Sequence, residues 1–207
     1  MKKLIIIMVL ILITSIASAG ETPKILLFMR DAQSSGDLEY MLKKEVNVMK
    51  DTLEKSGFKV VVATLDGSSV TAGSTTVKTD IKLSDANVAD YAGVILPCLA
   101  VPSYPEPKVS PDIIALVQKA ISTGKPVAAQ TGSLWTLAKA GVLKGKKYAY
   151  AFAEKSPHFA EATFAGTGIV KDGLIITSGI CPYMELKAKM KDGTKELALS
   201  LAEAMGE

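Results

Sequence analysis

The chain has 207 residues, 48% of them hydrophobic, and a chain of this size can fold as one domain without disulfides or bound metals. Its 24 basic and 21 acidic residues give a net charge of +3 and form no long run of one sign, so no nucleic-acid-binding surface is expected. One histidine and two cysteines are too few for a zinc or haem site with several protein ligands, so the sequence predicts neither a metal nor a cofactor.

The segment before Gly20 has the three parts of a secretory signal peptide. Lys2 and Lys3 precede an apolar run from Leu4 to Ile13, and small residues follow up to Ala19. This order predicts cleavage after Ala19. The competing interpretation is a membrane anchor, which needs roughly 20 apolar residues, and this run is shorter. We therefore expect a signal peptide at 1–19, one domain at 20–207 without a membrane span, and a periplasmic or secreted protein.

The rest of the chain alternates short apolar or β-branched runs with longer helical stretches. This alternation is typical of a mostly parallel sheet with helices on both faces. The first strand is predicted at Lys24 to Met29, and the apolar spacing that follows predicts a helix from Leu38 to Ser56. Asp37 is the expected cap of this helix, and Gly57 follows its end. The second strand is predicted at Phe58 to Ala63.

The stretch from Gly67 to Asn87 is rich in Ser, Thr, Gly and Asp, so we expect it to be irregular, with one short edge strand. Further strands are predicted at Gly93 to Pro97, Pro126 to Gln130, Gly168 to Lys171 and Leu174 to Ser178, and further helices from Ser110 to about Ala120, Ser133 to Ala140 and Thr194 to Met205. Asp172 and Gly173 predict a tight hairpin between the last two strands. The predicted fold is a doubly wound α/β sandwich, flavodoxin-like, with a β-hairpin near its C-terminal part.

Open α/β sheets form their functional sites in the loops at the carboxyl ends of the strands. In this sequence we therefore expect functional residues in the loops that follow Met29, Pro97, Gln130 and Ser178. Segments 94–97, 126–133 and 170–178 read VILP, PVAAQTGS and VKDGLIITS. In this order and spacing they resemble the core motifs of the ThiJ/PfpI family, within the class I glutamine amidotransferase-like superfamily. The resemblance covers most of the chain after Ala19 and implies the same fold.

Active members of this family place a cysteine on the sharp turn after the strand that here ends at Gln130. In this sequence Thr131 has that position, followed by Gly132. Such an elbow exposes a nucleophile, and the amides of the following helix stabilise a thiolate or an oxyanion. A threonine hydroxyl stays protonated without an adjacent base, so Thr131 and Ser133 are expected to shape the turn and cap the helix. A hydroxyl that binds or attacks a ligand is the alternative.

The family also keeps a glutamate on its first helix beside the nucleophile, and counting back from Gly57 puts Glu45 in that place. The residues support this independently, since Met41, Glu45 and Met49 follow at i, i+4 and i+8 in an apolar stripe. Burial there would raise the pKa of Glu45 and let its protonated form donate a hydrogen bond toward the Thr131 turn. The alternative is that Glu45 reaches solvent from the edge of the stripe.

Two further features of active members are missing. The histidine often found near the nucleophile has no counterpart in the strand from Lys147 to Phe152, and His158 lies in a nearby loop where a solvated side chain is expected. Active members also have glycines after the strand that here ends at Pro97, and Cys98 and Leu99 replace them. The sequence therefore does not predict an intact oxyanion hole.

Cys98 and Cys181 each follow a predicted buried strand, and the resemblance implies that the two strand ends face the same pocket. In an exported protein an even pair of cysteines tends to be bonded, so we predict a disulfide between them. A free catalytic thiol, a metal pair and two unconnected buried cysteines are the alternatives.

Several functions remain open at this level. We expect a non-catalytic or altered relative that binds a small molecule or a partner in the remnant active-site pocket. The residues expected to line that pocket are Glu45, Cys98, Leu99, Thr131, Gly132 and Cys181. The alternative implied by the resemblance is a hydrolase, amidase or glyoxalase-like enzyme that acts through Cys98 or Thr131. An envelope-stress or chaperone-like role and the homodimer common in the family are further expectations, with ligand and protein partner unidentified.

Overall fold

The structure of the chain, a computed structural model, describes residues 21–30, 37–98 and 107–206. The expected signal peptide at 1–19 and the pocket residue Leu99 lie outside these ranges. In the described part of the chain, no helix is both long and apolar enough to cross a membrane.

A seven-stranded sheet organises the fold. Its strands in chain order are β1 (Lys24–Phe28), β2 (Lys59–Thr64), β5 (Ile81–Lys82), β6 (Gly93–Leu96), β7 (Val127–Gln130), β10 (Ile169–Asp172) and β11 (Ile175–Ser178). Two smaller sheets pair β3 (Val70–Ala72) with β4 (Thr75–Val77), and β8 (Lys147–Tyr148) with β9 (Thr163–Phe164). The order across the large sheet is β10-β11-β7-β6-β1-β2-β5, with all neighbours parallel except β10 and β11. The predicted mostly parallel sheet is confirmed.

Apart from short 3-10 turns, the described residues contain five helices, and four of them pack on the two faces of this sheet. They are α1 (segments Leu38–Met41, Leu42–Val46 and Asn47–Lys55, which follow without a break), α2 (Pro111–Ser122), α3 (Leu134–Lys139), α4 (Pro182–Ala188) and α5 (Thr194–Gly206). Side chains of β1 alternate between two cores, because successive residues of a strand point to opposite faces. Ile25 and Leu27 pack with α1 and α5, whereas Leu26 and Phe28 pack with α2 and α3. The fold is therefore doubly wound, as predicted.

Helix α1 departs from the prediction in its first half, where Leu42–Val46 form a π-helical turn. Such turns insert one residue into an α-helix and often occur near functional sites. In this helix the turn contains Glu45, whose side chain is buried. Asp37 is the N-cap residue of this helix, as predicted, but its side chain makes no capping hydrogen bond. The predicted end at Gly57 is confirmed, since this glycine has a φ of +90°.

The segment from Gly67 to Asn87 is more regular than predicted. It contains the β3–β4 hairpin and the edge strand β5, where one edge strand was expected. A distant residue stabilises the hairpin turn, because the carboxylate of Glu39 on α1 accepts the backbone N–H of Ser74 at 3.0 Å and its hydroxyl at 2.8 Å. Contacts between residues so far apart in the chain leave no periodic pattern in the sequence.

Two other local predictions are confirmed. The Ser110 hydroxyl accepts the backbone N–H of Asp112 at 3.3 Å, which caps α2 at its predicted start. The hairpin between β10 and β11 turns through Gly173, which has a φ of +63°. Both features use short-range chemistry that the sequence shows directly.

Candidate functional site

The candidate site lies where three neighbouring strands, β6, β7 and β11, end. In the strand register Leu96 is opposite Ala129, and Gln130 is opposite Ser178. The residues that follow these pairs therefore lie near one another, which brings Cys98 and the loop before Cys181 to either side of the turn after β7. This is the carboxyl edge of a parallel sheet, where open α/β proteins form their sites.

The turn after β7 is a strained elbow. Thr131 has a φ of +43°, in the left-handed region that β-branched residues rarely adopt, and its hydroxyl oxygen is inaccessible to solvent. The chain goes from extended backbone at Gln130 into a turn of 3-10 helix at Thr131–Ser133 and then into α3. Ser133 makes no capping hydrogen bond, contrary to expectation, and its hydroxyl instead donates to the carbonyl of Pro97. The elbow is thereby tied to the loop after β6.

Gln130 connects the elbow to the opposite side of the site, and the sequence prediction missed this role. Its fully buried amide nitrogen donates to the carbonyl of Ile180 at 2.7 Å and to the Thr194 hydroxyl at 3.0 Å. The first bond holds the backbone immediately before Cys181 against the end of β7. A polar residue at the end of an apolar buried strand was the signal that could have identified it.

Glu45 is 0% exposed, so the prediction of burial is confirmed and the alternative of a solvent-facing carboxylate is wrong. Its Oε1 accepts the backbone N–H of Cys98 at 2.7 Å. We had expected a hydrogen bond donated toward the Thr131 turn. The contact instead orients the loop after β6, and it places a carboxylate beside the Cys98 thiol.

Cys98 and Cys181 are both free in the structure, so it does not contain the predicted disulfide. The two thiols are nevertheless neighbours, because the Cys98 thiol lies in hydrogen-bonding contact with the Cys181 sulfur. Cys181 is 1% exposed, whereas Cys98 is half-buried. The two sulfurs are therefore neighbours, as the predicted disulfide requires, but they are present as two hydrogen-bonded thiols.

This contact divides the two thiols into a donor and an acceptor. Donation to Cys181 raises the pKa of Cys98 well above its ordinary value, and burial and the negative charges of Cys181 and Glu45 act in the same direction. Acceptance of the Cys98 hydrogen bond lowers the pKa of Cys181 to about 7, against the opposing effect of burial. The backbone N–H of Met184 also favours the Cys181 thiolate. At pH 7 about half of the molecules therefore carry one negative charge on the pair, since the pKa of Cys181 is about 7 and that of Cys98 is higher.

The amide of Gly132 completes this arrangement. Its N–H is directed at the Cys98 sulfur and partly offsets the rise in the pKa of that thiol. In an elbow that carries a nucleophile, amides at this position stabilise a developing negative charge. Here the same amide contacts a cysteine that comes from a neighbouring strand.

His158 packs against Trp135 on helix α3, which follows the elbow. Its ring packs edge-on against Trp135, with 6.3 Å between the ring centroids, and it lines a cavity of about 130 Å³ with Ala138, Gly141 and Pro157. None of these cavity residues belongs to the predicted pocket. Among the described residues, no cluster of three or more His, Cys, Asp or Glu side chains could hold a metal ion.

Known structures share this fold at low sequence identity. A ThiJ/PfpI domain protein from Brachyspira murdochii aligns with a TM-score of 0.64 and 16% identity, covering 90% of this chain and 98% of that chain. DJ-1beta from Drosophila melanogaster aligns with a TM-score of 0.60 and 24% identity, covering 90% and 92%. A DJ-1 superfamily protein from Agrobacterium tumefaciens aligns with a TM-score of 0.64 and 16% identity, covering 89% and 90%.

The sequence itself identifies the family. No curated protein matches the chain significantly, but the model of the DJ-1/PfpI family matches residues 37–187. This range includes Glu45, Cys98, Thr131 and Cys181, and the resemblance inferred from the strand motifs is confirmed. The chain belongs to the DJ-1/PfpI family.

Proposed function

We propose that this protein is an exported member of the DJ-1/PfpI family that lacks elbow-nucleophile catalysis and binds a small molecule at the remnant active site. The observation that carries the proposal is the residue at the elbow. Thr131 has the strained backbone of a nucleophile elbow, but its hydroxyl is buried. A threonine hydroxyl needs an adjacent base or an N-terminal amine to attack a substrate.

The groups that could act as that base are engaged elsewhere. Glu45 uses Oε1 to bind the backbone amide of Cys98, and the ring of His158 packs against Trp135. The neighbouring sulfur of Cys181 takes its main hydrogen bond from Cys98, which lowers the pKa of Cys181 to about 7. Among the described residues the buried Thr131 hydroxyl has no hydrogen-bond partner, so no base is placed to remove its proton.

Ligand binding remains compatible with the same groups. A buried carboxylate, two sulfurs and the Gly132 amide converge at the carboxyl edge of the sheet, where open α/β proteins bind small molecules. An amide donor next to sulfur suits a small polar carbonyl compound, whose oxygen accepts a hydrogen bond while its carbon lies near the thiol. We therefore propose this class of ligand.

A second candidate function is thiol-dependent hydrolase, amidase or glyoxalase-like catalysis. The specific observation in its favour is the lowered pKa of Cys181, about 7. From the sequence, Cys98 or Thr131 was the expected nucleophile of such an enzyme. Because the pKa of Cys98 is raised and the Thr131 hydroxyl is buried, this candidate now depends on Cys181.

Methylglyoxal and glutamine are suitable probes, one for each substrate class. We expect methylglyoxal to raise the melting temperature of the reduced protein saturably, without turnover of either probe. Replacing Glu45 by Leu should abolish the shift, whereas Glu45→Gln should retain it because the amide oxygen can still accept the Cys98 N–H. Turnover that Thr131→Ala abolishes would refute the proposal. Turnover that survives Thr131→Ala and disappears in Cys181→Ser would establish the second candidate instead.

The proposal that the protein is exported can be tested separately. The proposal rests on the charged, apolar and small-residue segments that end at Ala19. N-terminal mass spectrometry of protein from the cell envelope or medium should find Gly20 as the first residue. An intact segment 1–19 on the mature protein would refute it.

A further inference from the structure

The hydrogen-bonded cysteine pair points to a function that does not depend on ligand binding. We propose that Cys98 and Cys181 form a reversible redox pair, which hydrogen peroxide closes to a disulfide and a dithiol reductant reopens.

The framework holds both cysteines next to each other. Cys98 follows β6 and Cys181 follows β11, the two strands that flank β7. Glu45 fixes the Cys98 amide at 2.7 Å, and Gln130 fixes the carbonyl of Ile180, immediately before Cys181, also at 2.7 Å. Two thiols in hydrogen-bonding contact at neighbouring strand ends need only a small displacement to become bonded.

The surroundings assign different roles to the two sulfurs. Cys181 receives hydrogen bonds from Cys98 and from the amide of Met184, and both favour its thiolate. The thiolate is the nucleophilic form of cysteine. Cys98 keeps its proton and is therefore the group that resolves an oxidised Cys181.

The reaction balances without any group other than the peroxide. The Cys181 thiolate attacks one peroxide oxygen, the O–O bond breaks, and hydroxide leaves while the sulfur becomes a sulfenic acid. That hydroxide takes the proton of the Cys98 thiol and becomes water. The Cys98 thiolate then attacks the sulfenic sulfur, the S–O bond breaks, and the second hydroxide is protonated by solvent. Two thiols and one hydrogen peroxide give one disulfide and two waters, and the sulfurs supply both electrons.

The burial of the cysteine pair favours oxidation by a small molecule. Cys181 is buried and Cys98 is half-buried, so a small oxidant should reach the pair more readily than a bulky one. Hydrogen peroxide is close to water in size. A bulky hydroperoxide, such as tert-butyl hydroperoxide, should therefore oxidise the native pair more slowly than hydrogen peroxide does.

The test treats the reduced, purified protein with hydrogen peroxide and counts its thiols after denaturation. We expect the count to fall from two to zero, with one peptide linkage between the Cys98 and Cys181 segments, and dithiothreitol to restore both thiols. Peptide mapping separates this product from methionine oxidation. Retention of both thiols, oxidation of Cys181 to sulfinic acid without a linkage, or a linkage between two protein molecules would each overturn the proposal.

Matched serine variants distinguish the two roles. In Cys98→Ser the hydroxyl can still donate to Cys181, so oxidation should stop at a sulfenic acid that dimedone traps on Cys181. In Cys181→Ser the remaining Cys98 thiol should stay unmodified under the same conditions. Equal dimedone labelling of both variants would refute the assigned roles. If either variant fails to fold, the order in which the two cysteines are oxidised is determined on the wild type. Dimedone is then added at early times, when only Cys181 should be labelled.

Discussion

The positive φ of Thr131 can be tested by replacing this residue with Ala and with Gly. The residue is 8% exposed and has a φ of +43°. A side chain in the left-handed region costs roughly 1–2 kcal/mol, because Cβ approaches the following carbonyl oxygen. Alanine keeps this cost, whereas glycine removes it. The comparison therefore measures how much strain the elbow stores in a chain without the family's cysteine.

The expected difference in stability between the two variants is the balance of opposing contributions. Thr131→Ala removes one buried methyl group and a hydroxyl, and should lower the free energy of unfolding by about 1 kcal/mol or less. Thr131→Gly additionally gains the roughly 1–2 kcal/mol of relieved strain. It also loses roughly 0.5–1 kcal/mol through the greater freedom of glycine in the unfolded chain. We expect Thr131→Gly to be more stable than Thr131→Ala by about 0.5–1 kcal/mol.

Urea unfolding of the three proteins measures this difference, provided that the slope of free energy against urea stays constant. The control is Ala138→Gly, because Ala138 is also buried but lies in helix α3. Glycine there should lower the free energy of unfolding by about 1 kcal/mol. If Thr131→Gly were less stable than Thr131→Ala by a similar amount, the elbow would hold no strain and the reasoning would be wrong.

Three further predictions concern groups around the elbow. Gly179→Ala should cost about 1–3 kcal/mol, because the added Cβ would lie 2.6 Å from backbone atoms, whereas Gly168→Ala meets nothing within 4 Å and should leave the melting temperature unchanged. Glu45→Gln should cost less than about 1 kcal/mol in urea unfolding, and Glu45→Leu about 1–3 kcal/mol, since only leucine leaves the buried Cys98 amide without its acceptor. Thiolate absorbance should rise with pH around a midpoint of about 7 for Cys181, and Cys98→Ala should move that midpoint upward because it removes the largest stabilising hydrogen bond. An unchanged midpoint in Cys98→Ala would contradict the contact between the thiols. Equal losses of stability in Gly179→Ala and Gly168→Ala, or in Glu45→Gln and Glu45→Leu, would contradict the contact that the pair tests.

Local patterns predicted the sheet well, because its strands are buried on both faces. Gly93–Leu96 and Val127–Gln130 are short runs of wholly buried residues, and each lies within one residue of its predicted bounds. The left-handed φ at Gly57 and Gly173 is likewise a property of single residues at turns. Such features are set by the residue and its neighbours in sequence.

Contacts between distant residues were not predictable in the same way. The π-helical turn at Leu42–Val46 and the β3–β4 hairpin depend on packing and on the bond from Ser74 to Glu39. The buried bonds of Gln130 to Ile180 and Thr194 join residues at least 50 positions apart. No period or short motif in the sequence specifies these partners, so they emerged only from the three-dimensional structure.

The two cysteines of the candidate site also combine a predictable feature with one that depends on contacts between distant residues. The sequence places Cys98 and Cys181 after two buried strands, and the family resemblance implied that these strand ends are neighbours. The state of the two sulfurs depends on finer geometry, which the hydrogen bond between the thiols and the one between Glu45 and the Cys98 amide define. The closeness of the two strand ends therefore followed from the resemblance, but the protonation of the pair was not predictable.

The position of the sulfurs also has a physical explanation at the level of the fold. Strands β6, β7 and β11 are adjacent and parallel, so all three end at one edge of the sheet. A reactive group on any of these strand ends faces the same buried carboxylate and the same elbow amides. In this chain the elbow after β7 carries Thr131, while the amide of Gly132 contacts the sulfur of Cys98, which follows the flanking strand β6. The strained elbow can thus still supply a hydrogen-bond donor to a thiol, even when that thiol follows another strand.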